Sequence, residues 1–229
     1  MTNQELRQKI DETLAPFAPI PWGIARLSEE LPLPYEKAFV AIIPFSHMIR
    51  LDEYTEPFLR SLQLGAVQRR RQVLKAVRGL FDSLNLEYKN PPHTEAGEVF
   101  EKTMTEIYST KDAARRAGLG WIGKSNLLVT KEFGPRLTMA ELLINGPLEP
   151  DAPIEKSFCG NCDRCSKNCA FQVIHNRDWV PETRREDQVD YIGCSLSRLA
   201  YVPKIGRKLA CGKCITVCPW GTAGGAAPV

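Results

Sequence analysis

The sequence predicts an α+β fold, with an α/β domain at residues 1–150 followed by a cysteine-organised module at residues 151–229. Three observations predict this division. All eight cysteines fall between Cys159 and Cys218. The proline-rich stretch 145–153 can continue neither a helix nor a strand. Before it, helical periodicity near 3–15, 55–84 and 95–117 accompanies apolar, strand-like runs near 38–45, 126–130 and 138–144.

The composition is that of an ordinary globular chain. Of its 229 residues, 43% are hydrophobic and 25% are charged, both typical of globular domains. The net charge of +3 is too small to argue for nucleic acid on its own. The polar N-terminus lacks the apolar core of a signal peptide, and no run is long enough to span a membrane. We therefore expect a cytoplasmic protein without membrane association, whose thiols stay reduced and serve as ligands.

The stretch GLGWIGKS at 118–125 fits two phosphate-binding patterns, G-x-G-x-x-G and G-x-x-x-x-G-K-[ST]. Both patterns bind phosphate only where a strand precedes the glycines and a helix follows them. Here strong helix formers at 111–117 precede the loop and an apolar run at 126–130 follows it. The order disfavours a nucleotide site and predicts a tight turn whose Trp121 and Ile122 pack in the core.

The first cysteine run is the strongest signal in the chain. Its spacing is C-x₂-C-x₂-C-x₃-C, which is that of bacterial ferredoxins, and its members are Cys159, Cys162, Cys165 and Cys169. Three thiolates at this spacing bind three corners of one [4Fe–4S] cubane. The fourth points away and ligates a neighbouring cluster in two-cluster ferredoxins.

The second run is C-x₂-C-x₃-C-P, and Cys194 lies between the runs. Crossing the runs as ferredoxins do predicts one cluster on Cys159, Cys162, Cys165 and Cys218, and a second on Cys169, Cys194, Cys211 and Cys214. The alternative is a pair of Cys₄ zinc sites, which also use C-x₂-C pairs. A zinc site would leave Cys169 unexplained, so the sequence favours two clusters and a ferredoxin-like module.

Two clusters move electrons one at a time, and a relay needs an acceptor. A ferredoxin does not require the domain at residues 1–150. This extra domain could hold the electron acceptor, which favours an oxidoreductase. The alternative is a non-catalytic electron carrier or reductive activator that docks on another protein. Bound chromophore would distinguish the two, because a carrier need not retain one.

These motifs, in this order, resemble those of the epoxyqueuosine reductases, from the glycine loop through both cysteine runs to Cys218-Pro219-Trp220. The similarity covers roughly residues 35–220 and is greatest to short members of that group; the arrangement is also similar to that of reductive dehalogenases. The resemblance implies a nitroreductase-like α/β domain holding cobalamin, whose cobalt the clusters reduce. It implies a corrinoid-sized pocket lined by Gly118, Gly120, Trp121, Gly123 and Lys124.

The resemblance also sets expectations about acids and partners. The position of the family's catalytic aspartate falls on Met104, and the nearby acids are Glu101, Glu106 and Asp112. The family's C-terminal helical repeats, used against transfer RNA, have no counterpart before Val229, so transfer RNA is expected not to be a partner. The expected partners are an electron donor of ferredoxin or flavodoxin type and a small-molecule or corrinoid substrate.

The remaining aromatic candidates have simpler interpretations. The histidines that could ligate cobalt each stand alone in a loop-like context, which favours ordinary surface residues; they are His47, His93 and His175. The tryptophans near the cysteines are interpreted as packing residues around the clusters; they are Trp121, Trp179 and Trp220.

Overall fold

A computed structural model describes residues 1–29, 33–91, 108–198 and 211–222. The chain packs into two compact units. The sheet unit comprises Met1–Pro44, Val67–Leu119 and Thr138–Ile154, and the cysteine unit comprises Phe45–Ala66, Gly120–Leu137 and Glu155–Val229. These units differ from a division of the sequence at residue 150, because residues 45–66 and 120–137 belong to the cysteine unit. Compactness does not establish independent domains, so the domain boundary at 150 stays a prediction.

Helix α1 spans Asn3–Leu14 and opens the sheet unit. A capping box starts it: the Thr2 hydroxyl accepts from the Glu5 amide, and the Glu5 carboxylate accepts from the Thr2 amide. These bonds satisfy amide donors that the first helical turn leaves unpaired. Its apolar stripe is buried, with Leu6, Ile10 and Leu14 each at most 4% exposed. The predicted helix near 3–15 is confirmed.

A four-stranded sheet forms the centre of the sheet unit, in the order β1-β2-β6-β3. Its strands are β1 (Trp22–Arg26), β2 (Lys37–Pro44), β3 (Tyr88–Lys89) and β6 (Leu137–Ile144). β1 pairs antiparallel with β2, and β3 with β6. Residues 38–44 of β2 are all buried, as expected of a central strand covered on both faces.

The long helix α2 spans Glu56–Ser83 and confirms the predicted helix near 55–84. Helix α3 spans Thr110–Arg116, the described part of the helix predicted near 95–117; residues 92–107 lie outside the described residues. α3 packs on β1 and β2. Its start is capped by Ser109, whose hydroxyl accepts from the Asp112 amide.

The proline-rich connection is held against the sheet unit. The Asp151 carboxylate accepts from the Ile24 amide at 2.7 Å and pairs with Arg7 at 3.0 Å. The Ile154 amide donates to the Arg115 carbonyl, and the Arg115 guanidinium donates to the Ile154 carbonyl. The stretch is irregular as predicted, but these bonds make it part of the packed unit up to Ile154.

The cysteine unit contains little regular structure. A small antiparallel sheet pairs β4 (Trp121–Ile122) with β5 (Leu128–Val129). The helices are short: α4 (Arg164–Lys167), α5 (Arg185–Gln188), α6 (Tyr191–Arg198) and α7 (Lys213–Thr216). Four-residue helices are not stable by themselves. Tertiary contacts must therefore hold most of this unit. In the described ranges, no helix is long and apolar enough to cross a membrane.

Candidate metal centre

Each cysteine run includes one short helix. Cys165 lies in α4 and Cys214 in α7, and the two helices contact each other. The two runs are therefore adjacent although the sequence separates them. None of the eight cysteines is in a disulfide, and all are of intermediate exposure, so each thiol can serve as a ligand.

A cavity in the cysteine unit is lined by Cys159, Cys162 and Cys165 of the first run and by Cys218 of the second. This is the set that the crossed arrangement predicts for one cluster. Cys214, which that arrangement assigns to the other cluster, also reaches the wall. The cavity thus brings together four thiols that two separate runs supply, with a fifth at its border.

The thiol pKa values report the same neighbourhood. The pKa of Cys165 is raised to about 11, chiefly by burial and in part by repulsion from Cys159 and Cys162. Burial raises the pKa of Cys218 to about 12, with Cys159 and Cys165 adding to the shift and Arg136 opposing it. Each thiolate is disfavoured by its neighbours. The thiols are therefore most easily deprotonated together, when a bound metal neutralises several thiolates at once.

The second predicted set gathers around Cys214. The pKa of its thiol is raised, first by burial and then by repulsion from Cys211, Cys165, Cys194 and Cys169. Three of these four are its predicted partners, and Cys165 belongs to the first set. Within the described ranges, no three His, Cys, Asp or Glu side chains converge as ligands of a single ion.

The glycine loop follows a helix and precedes a strand, as predicted. α3 ends at Arg116 before it, and β4 and β5 follow. The loop therefore offers no helix N-terminus to a phosphate. Within the cysteine unit, a Cβ on Gly120 would lie 2.5 Å from the Val129 carbonyl oxygen. A Cβ on Gly123 would lie 2.9 Å from Cγ2 of Val129 and 3.4 Å from the Cys159 sulfur. These glycines admit close protein packing beside a cysteine.

Gly118 lies in the sheet unit and has φ +71°, a left-handed conformation that favours glycine. A Cβ there would lie 2.8 Å from the Ala152 carbonyl oxygen. Since protein atoms already occupy the space beside these glycines, the loop's contacts do not identify a corrinoid site. Its cofactor-binding role stays a prediction, and we derive no step through cobalamin.

Lys124, which lies near the end of the loop, is 6% exposed. Its amine donates to the Gly160 carbonyl at 2.7 Å and to the Cys162 carbonyl at 3.2 Å. The lysine thus binds the backbone of the first cysteine run. In a P-loop, the corresponding amine would contact phosphate oxygens.

Two tryptophans border the cysteines. Trp121 is 1% exposed, and its ring meets Trp220 edge-on at 4.8 Å and Phe158 at 5.2 Å. Trp220 lines the cysteine cavity. The indole N–H groups of both tryptophans are buried and have no hydrogen-bond partner in the described part of the chain. Buried donors without acceptors are costly, and cluster sulfurs are acceptors. These orphan donors and the eight thiols therefore fit an iron–sulfur group. Trp179 is also buried, as expected of a packing residue.

Two buried polar residues that the sequence did not identify connect the parts of the centre. Arg136 is 0% exposed and donates to the carbonyls of Ile49, Thr216, Cys218 and Trp220. No periodic pattern marks a single buried cation, although its neighbour Gly134, with φ +57°, is a turn signal.

Gln188 is also 0% exposed. Its amide donates to the carbonyls of Gly123 and Arg177 and accepts from the Asn126 amide at 2.9 Å. The side chain thus joins the glycine loop to the end of α5. Its position on a four-residue helix explains why hydrophobic periodicity did not reveal it.

The histidine and acid candidates acquire ordinary contacts where they are described. His47 contacts Glu53 at 2.9 Å and is half-exposed. The backbone amide of His175 donates to the Gln188 carbonyl. The Asp112 carboxylate accepts from the guanidinium groups of Arg115 and Arg116, one at each oxygen. The remaining candidates, His93, Glu101, Met104 and Glu106, lie outside the described residues.

No family model matches the chain. The chain is 30% identical over 139 residues to an epoxyqueuosine reductase of Bacillus anthracis, and 31% identical over 132 residues to that of Cyclobacterium marinum. These matches cover 53% and 55% of this chain but only 32% and 42% of the relatives. The chain therefore aligns with less than half the length of these relatives.

The fold is that of the corresponding solved structures. Epoxyqueuosine reductase from Bacillus subtilis superposes with a TM-score of 0.61 at 19% identity, over 96% of this chain and 66% of that one. A catabolic reductive dehalogenase superposes with a TM-score of 0.62 at 18% identity, over 89% of this chain and 30% of that one.

One matched epoxyqueuosine reductase structure contains an epoxyqueuosine-modified stem loop of tyrosine transfer RNA; it superposes with a TM-score of 0.61 at 20% identity. This gives no support to the expectation that transfer RNA is not a partner. The resemblance inferred from the motifs is confirmed: the chain is similar in sequence to epoxyqueuosine reductases, and it shares an α+β fold with them and with reductive dehalogenases.

Proposed function

We propose that this protein is an iron–sulfur oxidoreductase of epoxyqueuosine reductase-like type. It holds two [4Fe–4S] clusters in the cysteine unit and passes single electrons through them to an acceptor site within residues 1–150. The observation that carries the proposal is the cavity on which Cys159, Cys162 and Cys165 meet Cys218 of the other run.

The donor set supports two clusters. The first cluster would be held by Cys159, Cys162, Cys165 and Cys218, and the second by Cys169, Cys194, Cys211 and Cys214. All eight cysteines are partly buried and none is in a disulfide, and thiolates are the ligands that iron–sulfur clusters prefer. A bound cubane supplies one-electron transfer at a potential set by burial and by hydrogen bonds to its sulfurs.

The protein supplies several features of its own. The Cys165 and Cys218 thiols are partly buried, which limits the access of water to the centre. Lys124 and Arg136 fix the backbone of the two runs through main-chain carbonyls. Trp220 lines the cavity and Trp121 packs against its ring, and both have indole N–H groups without a partner in the described residues. These groups limit solvent access and reorganisation around a group that changes charge by one electron.

Cobalamin is the acceptor that the resemblance implies, with a ferredoxin- or flavodoxin-type protein as the donor. The similarity to named oxidoreductases supports an enzyme rather than a carrier. The substrate follows from neither the spacing nor the contacts of the described residues. An anaerobic absorption spectrum of the reduced protein, with and without added cobalamin, tests the acceptor: binding and reduction of the corrinoid are expected.

Metal analysis tests the cluster proposal. Protein purified and reconstituted without oxygen should contain about eight irons and eight inorganic sulfides per chain, as two cubanes require. Stoichiometric zinc with little iron would contradict it. A serine at each of the eight cysteine positions provides the matched control and should abolish iron uptake.

A further inference from the structure

The cysteine unit buries two cations beside its cysteines. Lys124 is 6% exposed and Arg136 is 0% exposed. Within the described ranges, they are the only buried lysine or arginine side chains of this unit. Such groups are rarely buried without partners of opposite charge, because the loss of hydration is costly.

Neither cation has a close carboxylate. The acid paired with Lys124 is Asp178, at 3.9 Å and half-exposed. No carboxylate lies within salt-bridge distance of Arg136 in the described part of the chain. Both cations instead donate to main-chain carbonyls, which carry only partial negative charge. Acids compensate these charges only in part and without close contact: Asp178 and Asp163 near Lys124, and Glu53 near Arg136.

The carbonyls that they bind belong to opposite sides of one thiol set. Lys124 donates to Gly160 and Cys162 in the first run. Arg136 donates to Cys218 at 3.0 Å and to Trp220 at 2.9 Å in the second. Cys162 and Cys218 line the same cavity. Both positive charges therefore adjoin the cluster on Cys159, Cys162, Cys165 and Cys218, here called the first cluster.

We propose that Lys124 and Arg136 are positioning residues that hold the two runs around the first cluster and raise its reduction potential. The inference rests on the proposed two-cluster function and deepens it. A cluster bound by four thiolates is anionic, and an electron taken from a one-electron donor makes it more so. A nearby buried cation stabilises the reduced state more than the oxidised state, because the low local dielectric strengthens the attraction.

The experiment is a mediated redox titration of anaerobically reconstituted full-length protein, followed by electron paramagnetic resonance. Lys124→Gln and Arg136→Gln remove charge but keep an amide donor. Each substitution should change the reduction equilibrium of the first cluster at least tenfold in favour of the oxidised form. This corresponds to a reduction potential lower by about 59 mV for one electron. The second cluster should keep its potential. Arg136→Lys retains the charge, so its first cluster should keep a potential close to that of the wild type.

The control is Lys131→Gln, the same charge change at an exposed lysine of the same unit. It should leave both potentials unchanged, since water screens a surface charge. Iron content identifies variants that retain both clusters. Lys124→Gln breaks two hydrogen bonds, whereas Arg136→Gln disturbs four, so the lysine variant decides the question if the arginine variant assembles poorly.

Three results would overturn the inference while leaving the two-cluster proposal intact. The first is an unchanged potential in a Gln variant that retains eight irons. The second is an Arg136→Lys protein as strongly shifted as Arg136→Gln. The third is a Gln variant in which the potential of the second cluster shifts as much as that of the first. Wild-type protein that takes up zinc instead of iron would contradict the proposed function itself.

Discussion

The sheet unit and the cysteine unit bury arginine in different ways. In the sheet unit, Arg115 is 4% exposed and pairs with the Asp112 carboxylate at 2.9 Å. In the cysteine unit, Arg136 is fully buried and donates only to carbonyls in the bonds described. The first unit neutralises its buried cation with its own acid. The second leaves positive charge beside a set of thiols, which is the arrangement expected where an anionic group binds.

The two units also differ in what holds them together. The sheet unit has a four-stranded sheet, and residues 38–44 of its central strand β2 are all apolar and buried. Of the four α-helices that lie wholly within the described part of the cysteine unit, three are four residues long. Because apolar burial is the main stabilising contribution to folding, the first unit should be stable without a cofactor and the second should not. The predictions below test this difference.

The largest effect should come from removing the clusters. Oxidation and chelation of the full chain should accelerate amide hydrogen exchange throughout residues 155–198, because metal binding and folding are coupled in such segments. Residues 37–44 and 137–144 should keep their protection. Exchange measured by mass spectrometry on the loaded and cluster-free protein tests this. Equal protection of residues 155–198 in both forms would contradict it.

Substitution of Gly134 should be nearly as damaging. Its φ is +57°, and a Cβ would lie 2.1 Å from the Trp220 carbonyl oxygen. Gly134→Ala should lower the free energy of unfolding by about 3 kcal/mol, from strain and overpacking. Gly65→Ala in α2 is the control: no heavy atom lies within 4 Å, and alanine should add up to about 1 kcal/mol. Denaturant unfolding of both variants would measure the difference, and similar stabilities would contradict it.

An intermediate effect is expected at Gln188. Gln188→Leu removes three hydrogen bonds of a fully buried side chain and leaves the Gly123 carbonyl without that donor. The expected loss is about 1–3 kcal/mol of stability, the cost of an unsatisfied buried polar group. The exposed Gln8, which bonds Glu12, provides a control in which leucine should change stability by less than about 0.5 kcal/mol. Thermal unfolding of the two proteins compares them.

The smallest effect should be electronic. Trp220→Phe keeps an aromatic ring but removes an N–H that has no partner in the described residues. If that N–H donates to a cluster sulfur, its loss should lower the potential of the first cluster by less than loss of a buried charge does. Redox titration of Trp220→Phe beside wild type would show this shift. A potential that rises would contradict the assignment of Trp220 as a donor.

Periodicity predicted the sheet unit well where the elements are long. α1, α2, β2 and β6 lie within about two residues of their predicted positions, because a 3.6-residue stripe or an apolar run extends over each. β1 and β3 were not predicted. β3 has only two residues, and β1 reads Trp-Gly-Ile-Ala-Arg, which carries no clear alternation. β1 is positioned by pairing with β2, and β3 by pairing with β6.

In the candidate site, too, some residues were identifiable from the sequence and others were not. The cysteines were identifiable because thiol spacing is itself the chemical requirement for a cluster. Arg136 and Gln188 were not, because each acts through carbonyls that are distant in sequence. The glycine loop shows a third case: its motif was recognised, but the reason for Gly120 and Gly123 is packing against Val129 and Cys159, which only the structure reveals.

The crossed ligation of the two runs is the central claim, and paired cysteine variants test it most directly. Cys169→Ala and Cys218→Ala should each be reconstituted anaerobically, reduced, and compared with Cys159→Ala by electron paramagnetic resonance. We predict that Cys218→Ala alters the same cluster signal as Cys159→Ala, since both line one cavity, and that Cys169→Ala alters the other signal. If Cys169→Ala instead shares its altered signal with Cys159→Ala, each run binds its own cluster and the account is wrong.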